Sequence, residues 1–269
     1  MSPRLLGGVA AALFALIVLS RATDRRPGAP TIAPPPAAAV DDAVAPAPVA
    51  TRPPRVAPLP NVLASTTVPT REIDLLAILA VRRRIAREGS RVYLDSLLAQ
   101  TDSTLVRWAD RGGRPLTVAF TRDSLLDGWA PGFLGAARRG LEAWSTNAAG
   151  LRFEEVEDPD AAEIEVRFVT SVSDSNEFGV TQLDWESDGT ASGATIRLAL
   201  RPAADGPVVA AAVLQRVAVH EFGHALGLPH SAARTDIMHP SSPVGAPSRR
   251  DHATLQLLYA LPPGSLKTP

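Results

Sequence analysis

The chain predicts an α+β domain built on a five-stranded sheet, and three observations carry that expectation. Five segments, 115–121, 151–156, 164–169, 180–185 and 194–200, alternate or run apolar over strand-like lengths. Between the first two, Phe133, Leu134, Ala137, Leu141 and Trp144 mark one face of a helix that ends near Gly150. After the last, an apolar run from Val208 to Leu228 is long enough for a second helix lying inside the domain.

The N-terminal part has a different character. Leu5 to Leu19 is an unbroken apolar run behind Arg4, short of the roughly 18 residues that favour a membrane-spanning helix. With small residues at Ser20 and Ala22, residues 1–22 are expected to be a signal peptide or an uncleaved membrane anchor. Either one makes the protein secreted or extracytoplasmic, with the membrane reached only through that segment.

Residues 23–70 hold 12 of the chain's 25 prolines and almost no large apolar cluster, a composition that cannot bury enough surface to fold. They are expected to be a disordered linker. Residues 71–108 return to helical spacing, with Ile73, Leu76, Leu79 and Ala80, then Tyr93, Leu94, Leu97, Leu98, Leu105 and Trp108, interrupted at Gly89-Ser90. This predicts a helical hairpin, either packed on the following domain or acting as a pro-segment. Residues 109–262 form that domain and 263–269 a tail.

Composition narrows the functions. A net charge of −1, from 27 basic and 28 acidic residues, gives no reason to expect nucleic acid as a partner. The absence of cysteine rules out disulfide stapling, so stability must come from an apolar core.

The chemistry is concentrated in residues 220–230, His-Glu-Phe-Gly-His-Ala-Leu-Gly-Leu-Pro-His. On a helix, His220 and His224 are four residues apart and project from one face, so both imidazoles can reach one ion. His230 can join them only if the chain leaves the helix. Gly227 allows the left-handed turn that ends a helix, and Pro229 prevents its resumption.

Three neutral imidazoles leave one coordination position open for water, which is the catalytic rather than the structural zinc arrangement. Glu221 lies beside them as the candidate general base. The other two histidines, His239 and His252, are not expected to be ligands. A different class of function remains open: an envelope-tethered, zinc-containing module that binds peptide or carbohydrate without turnover.

The extended motif, followed by Ser231 and by the methionine turn Asp236-Ile237-Met238-His239-Pro240, resembles the metzincin metallopeptidases and within them the matrixins. The stretch Ser248-Arg249-Arg250-Asp251, then Leu255, Leu258 and Tyr259, is similar to the matrixin C-terminal helix, with Ser248 as its N-cap.

The resemblance implies a zincin-like catalytic domain over 109–262. It would have a mixed five-stranded sheet, a backing helix, an active-site helix and a C-terminal helix. It also implies a zinc-dependent endopeptidase acting on protein or peptide substrates. Met238 would form an apolar floor below the metal, and Asp251 would orient the methionine turn. An extended substrate would add to the edge strand Gly179 to Trp185, with the main side-chain pocket walled by Pro240 to Pro247.

Two departures follow from residue counts. Without cysteine, latency through a thiolate on the zinc is impossible, and with all five histidines between 220 and 252 only one zinc is expected. Asp95, Asp102 or Asp110 could cap the metal in a latent form, although solvated acids are the plainer reading. Asp174, Glu177, Asp184, Glu186 and Asp188 lie in a stretch free of basic residues. They suggest either calcium or, more simply, a solvated acidic loop.

Overall fold

The computed structural model describes residues 75–146, 149–172 and 177–267. The expected signal or anchor segment, the linker and Asp174 therefore lie outside the described residues. No helix among the described residues is long and apolar enough to cross a membrane.

Two helices open the described chain, α1 (Leu75–Glu88) and α2 (Leu94–Gln100), joined through a short turn at Gly89–Arg91. Strand β1 (Thr104–Leu105) follows. The main domain then runs β2 (Leu116–Arg122), α3 (Pro131–Glu142), β3 (Phe153–Glu155), β4 (Ile164–Val169), β5 (Gly179–Trp185) and β6 (Ala191–Ala199). It closes with α4 (Ala211–Ala225), α5 (Arg249–Tyr259) and β7 (Gly264–Ser265).

The five-stranded sheet has the order β3-β2-β4-β6-β5. The β2–β3, β2–β4 and β4–β6 pairs are parallel, while β5 runs antiparallel to β6 at the edge, which makes the sheet mixed. All five expected strands are present, with two changes of extent. Of the 151–156 segment, Phe153 to Glu155 form the strand, with Arg152 and Val156 making the flanking backbone bonds to β2. Strand β6 begins earlier than expected, since Thr190 and Ala191 are already tied to Glu186 and Arg107 across the preceding turn.

Helix α3 stops at Glu142, well before Gly150, and α4 begins at Ala211 rather than at Val208. The reason for the second difference is visible in the backbone: the Val209 N–H donates to the Leu200 carbonyl at 2.8 Å, which holds Val209 against the sheet.

The core lies between the sheet and helices α3 and α4. Ile164, Val166, Ile196 and Leu198 face Leu214, Ala218, Phe222 and Leu226, all essentially closed to solvent. Each large apolar side chain so buried contributes about 1.5–3 kcal/mol relative to exposure. Two indoles fasten α4 in place: Trp144 donates to the Val219 carbonyl and Trp108 to the Ala225 carbonyl, both at 2.8 Å.

A second cluster joins the hairpin to the C-terminal helix through Ile78, Val81, Ile85, Leu94, Leu257 and Leu258. The last strand, β7, pairs antiparallel with β1, so Gly264 and Ser265 return to the segment that follows the hairpin.

Candidate active site

Helix α4 presents His220 and His224 on one face and then ends within three residues. Gly227 has φ +93°, its N–H donates to the His224 carbonyl, and the Leu228 N–H donates to the Gly223 carbonyl, each at 2.9 Å. This pair of bonds is the glycine-dependent termination that satisfies the last helical carbonyls. A Cβ on residue 227 would also stand 2.6 Å from the Val106 carbonyl oxygen, so tertiary packing demands glycine as well.

The turn brings His230 back to the helix. One nitrogen from each of His220, His224 and His230 falls within a group spanning less than 4.8 Å. Nε2 of His220 is 3.1 Å from Nε2 of His224 and 3.3 Å from Nε2 of His230. The Nδ1 atoms of His220 and His224 face the carbonyls of Ile237 and Leu228, each at 2.8 Å. A carbonyl only accepts, so each of these Nδ1 atoms carries the proton and each Nε2 turns a lone pair inward.

Lone pairs converging at this distance repel unless a cation or a proton lies between them. Protons are disfavoured. Burial, and then each ring's histidine neighbours, holds His224 well below its ordinary value and lowers His230 to about 4; burial also lowers His220. The donor set therefore fits a divalent metal, with carbonyl-oriented imidazoles as usually found for zinc. No other group of histidines and acids among the described residues is arranged to hold a metal.

Glu221 is buried next to these ligands. Burial pushes its carboxyl up to about 8, and the Thr181 hydroxyl, donating to Oε2 at 2.7 Å, opposes that shift. A cation held by the three histidines acts in the same direction as Thr181, because an adjacent positive charge favours the carboxylate. Strand β5 leaves room for this side chain at Gly179, where a Cβ would approach Oε1 of Glu221 to 2.7 Å. Neither Thr181 nor Gly179 stands out in the sequence as a partner of Glu221, since the pairing spans 40 residues between a strand and a helix.

Below the ligands, Met238 is fully buried and its sulfur lies where residue 223 has no side chain: a Cβ there would be 2.3 Å from Sδ. Gly223, an unspecified position in the short motif, is thus fixed by Met238. The turn carrying Met238 is held from several sides. The Ser231 N–H donates to the Met238 carbonyl at 2.9 Å, and Asp251 accepts from the Ile237 N–H at 2.9 Å and from the Ser248 N–H at 2.7 Å. Ser248 caps α5, with reciprocal bonds to Asp251 three residues on. Arg250 closes a second network on Asp236, at 2.7 Å, together with Ser231 and Ser248.

Other candidates lie apart from the cluster. His252 packs its ring edge-on against Trp144, and His239 accepts a backbone bond from Ser241. Among the described acids none joins the three histidines: Asp102 pairs with Lys267, and Asp110 accepts from the Gly112 N–H. Calcium finds no support either. Asp184 accepts from Gln182 and Asp188 from the Thr190 N–H, local bonds that tie these acids to their own hairpin.

Residues 132–260, a span that contains four of the five sheet strands, α4, the methionine turn and α5, match the family model described as matrixin. Over that span the chain is similar to the matrixins. Matrix metalloproteinase-25 of Homo sapiens is 54% identical to it over 54 residues. That alignment covers 18% of this chain and only 10% of the human protein.

Among solved structures, the chain is similar to myroilysin, with a TM-score of 0.29 and 21% identity over 46% of this chain and 45% of that one. It is also similar to high choriolytic enzyme 1, a hatching-enzyme zinc protease of Oryzias latipes. There the TM-score is 0.35, with 13% identity over 58% of this chain and 94% of the other. The α+β architecture with a mixed five-stranded sheet is the one that the resemblance to matrixins implies.

Proposed function

We propose that the protein is an exported, zinc-dependent endopeptidase in which His220, His224 and His230 hold the metal and Glu221 is the general base. The observation that carries this reading is the convergence of three imidazole nitrogens beside a buried carboxyl group. Zinc held there supplies Lewis-acid chemistry, polarising a carbonyl oxygen and making water acidic enough to lose a proton near pH 7.

The protein's own groups complete the reaction. Glu221 accepts the proton of the attacking water as its oxygen bonds to the scissile carbonyl carbon. The carbon–nitrogen bond then breaks as Glu221 returns that proton to the leaving nitrogen. Thr181 holds Oε2 throughout, which leaves Oε1 to carry the proton. Strand β5 has a free edge on which an extended peptide can be hydrogen-bonded.

The Asp251 bonds to Ile237 and Ser248 keep the methionine turn in register with the Ile237 carbonyl that orients His220. Residues 109–262 are the catalytic unit in this proposal, with Met238 as its apolar floor and Gly227 as the turn that delivers the third ligand.

The test is Glu221→Ala in the full chain. The variant should keep about one zinc per chain and lose nearly all chelator-sensitive peptide cleavage. Cleavage at the wild-type rate would exclude Glu221 as the base.

A further inference from the structure

An apolar pocket adjoins His224. Leu183 and Trp185 of β5 form one side, and Leu97, Gln100 and Thr101 of the hairpin form the opposite side. The cavity is about 50 Å³, which is room for one aliphatic side chain and too little for an independent ligand. Helix α2 lies outside residues 132–260, so part of this pocket's wall, Leu97, Gln100 and Thr101, comes from a segment that the family match does not include.

The position of the pocket says what enters it. Thr181 contacts Glu221, and from there β5 runs to Trp185, roughly 13 Å further at about 3.3 Å per residue. Thr181 and Leu183 share one face of the strand, and Trp185, beyond a register shift at Asp184/Trp185, lines the pocket with them. A peptide paired along the free edge of β5 places every second side chain on that same face. In antiparallel pairing, the better-bonded arrangement, the residues alongside Leu183 and Trp185 precede the bond that lies at Glu221.

We propose that α2 is part of the substrate cleft. Leu97, Gln100 and Thr101 complete a subsite for one medium-sized aliphatic side chain on the N-terminal side of the scissile bond. The assignment rests on the peptidase reading above and deepens it. It also gives the hairpin a place in the working enzyme, because its removal would open this pocket and take Tyr93 from Asp251, to which it is bonded at 2.6 Å.

The experiment uses the zinc-loaded full chain and peptides that differ only by Leu, Ala or Trp at successive positions before the scissile bond. It measures kcat/KM for the wild type and equilibrium binding to Glu221→Gln. At one position Leu should be preferred to both Ala and Trp by about tenfold in both measurements. Gln100→Trp, which fills the mouth from an exposed site, should collapse the Leu:Ala ratio towards one; Leu97→Ala should shift the preference towards Trp.

A wild type indifferent to the side chain at all these positions, or ratios unchanged in both variants, would overturn the subsite. Peptides bound with the expected preference and never cleaved would instead overturn the peptidase reading and leave the subsite standing.

Discussion

The Tyr93 hydroxyl donates to Oδ1 of Asp251 at 2.6 Å, joining the helical hairpin to the carboxylate that holds the methionine turn, across 158 residues of sequence. Asp251 is fully buried, so its oxygen depends on this donor. Tyr93→Phe should lower the unfolding free energy by about 1–3 kcal/mol, the cost of leaving a buried acceptor unpaired. Urea denaturation of the full chain measures it.

The same bond gives a pH dependence at the alkaline end. Burial, followed by the charge of Asp251, holds the Tyr93 hydroxyl well above its ordinary value of 10.0. Its proton is therefore lost more easily in the unfolded chain, and its contribution to stability is present below pH 10 and falls as pH rises beyond it. Unfolding midpoints between pH 9 and 11 should decline more steeply for the wild type than for Tyr93→Phe.

Thr181→Val removes the donor to Glu221 while keeping the shape of the side chain. A hydrogen bond to a charged group is worth about 1.5–3 kcal/mol, so kcat should fall by roughly 10- to 100-fold. Thr181→Ser should restore most of it, with zinc content and melting temperature unchanged in both variants. Equal kcat in wild type and Thr181→Val would show that Thr181 does not position the base.

Acid should destabilise the metal-free protein. The three histidines have folded-state values below 6.5, with His230 at about 4, so the unfolded chain binds protons first as pH falls. Their contribution is present above pH 6.5 and is lost on the way down to 4. Thermal melts of chelated protein should show this decline. Added zinc should raise the melting temperature near neutral pH and lose that effect in acid, because protons compete for the same nitrogens.

Gly223→Ala places a methyl group 2.3 Å from the Met238 sulfur. Overpacking of this kind costs about 1–3 kcal/mol, because the buried Met238 side chain must shift beside the turn whose Ile237 carbonyl orients His220, with Trp144 also within 3.1 Å of the new methyl group. Zinc affinity and stability should fall together, which a zinc titration and a thermal melt will show.

Much of the architecture was legible along the chain because it rests on local periodicity. Strand β4 alternates over Ile164, Val166 and Phe168, and Ser248 with Asp251 makes a capping box within four residues. The three histidines and Glu221 were legible for the same reason, since helical spacing and one glycine-proline turn determine their geometry.

What escaped depends on contacts between distant segments. Thr181 reads as an ordinary strand residue until β5 is laid over α4, and Tyr93 reads as a core aromatic until its hydroxyl meets Asp251. Val208 and Val209 read as helix because they are apolar, whereas a bond to Leu200 keeps Val209 extended. The pocket beside His224 is walled in part by α2, and nothing in residues 94–101 signals that neighbour.

Zinc analysis of the purified, folded full chain tests the central claim most directly. The account predicts about one zinc per wild-type chain and almost none in His224→Ala at the same protein concentration. A wild type that takes up no zinc, or a His224→Ala variant that binds it as well as the wild type, would contradict it.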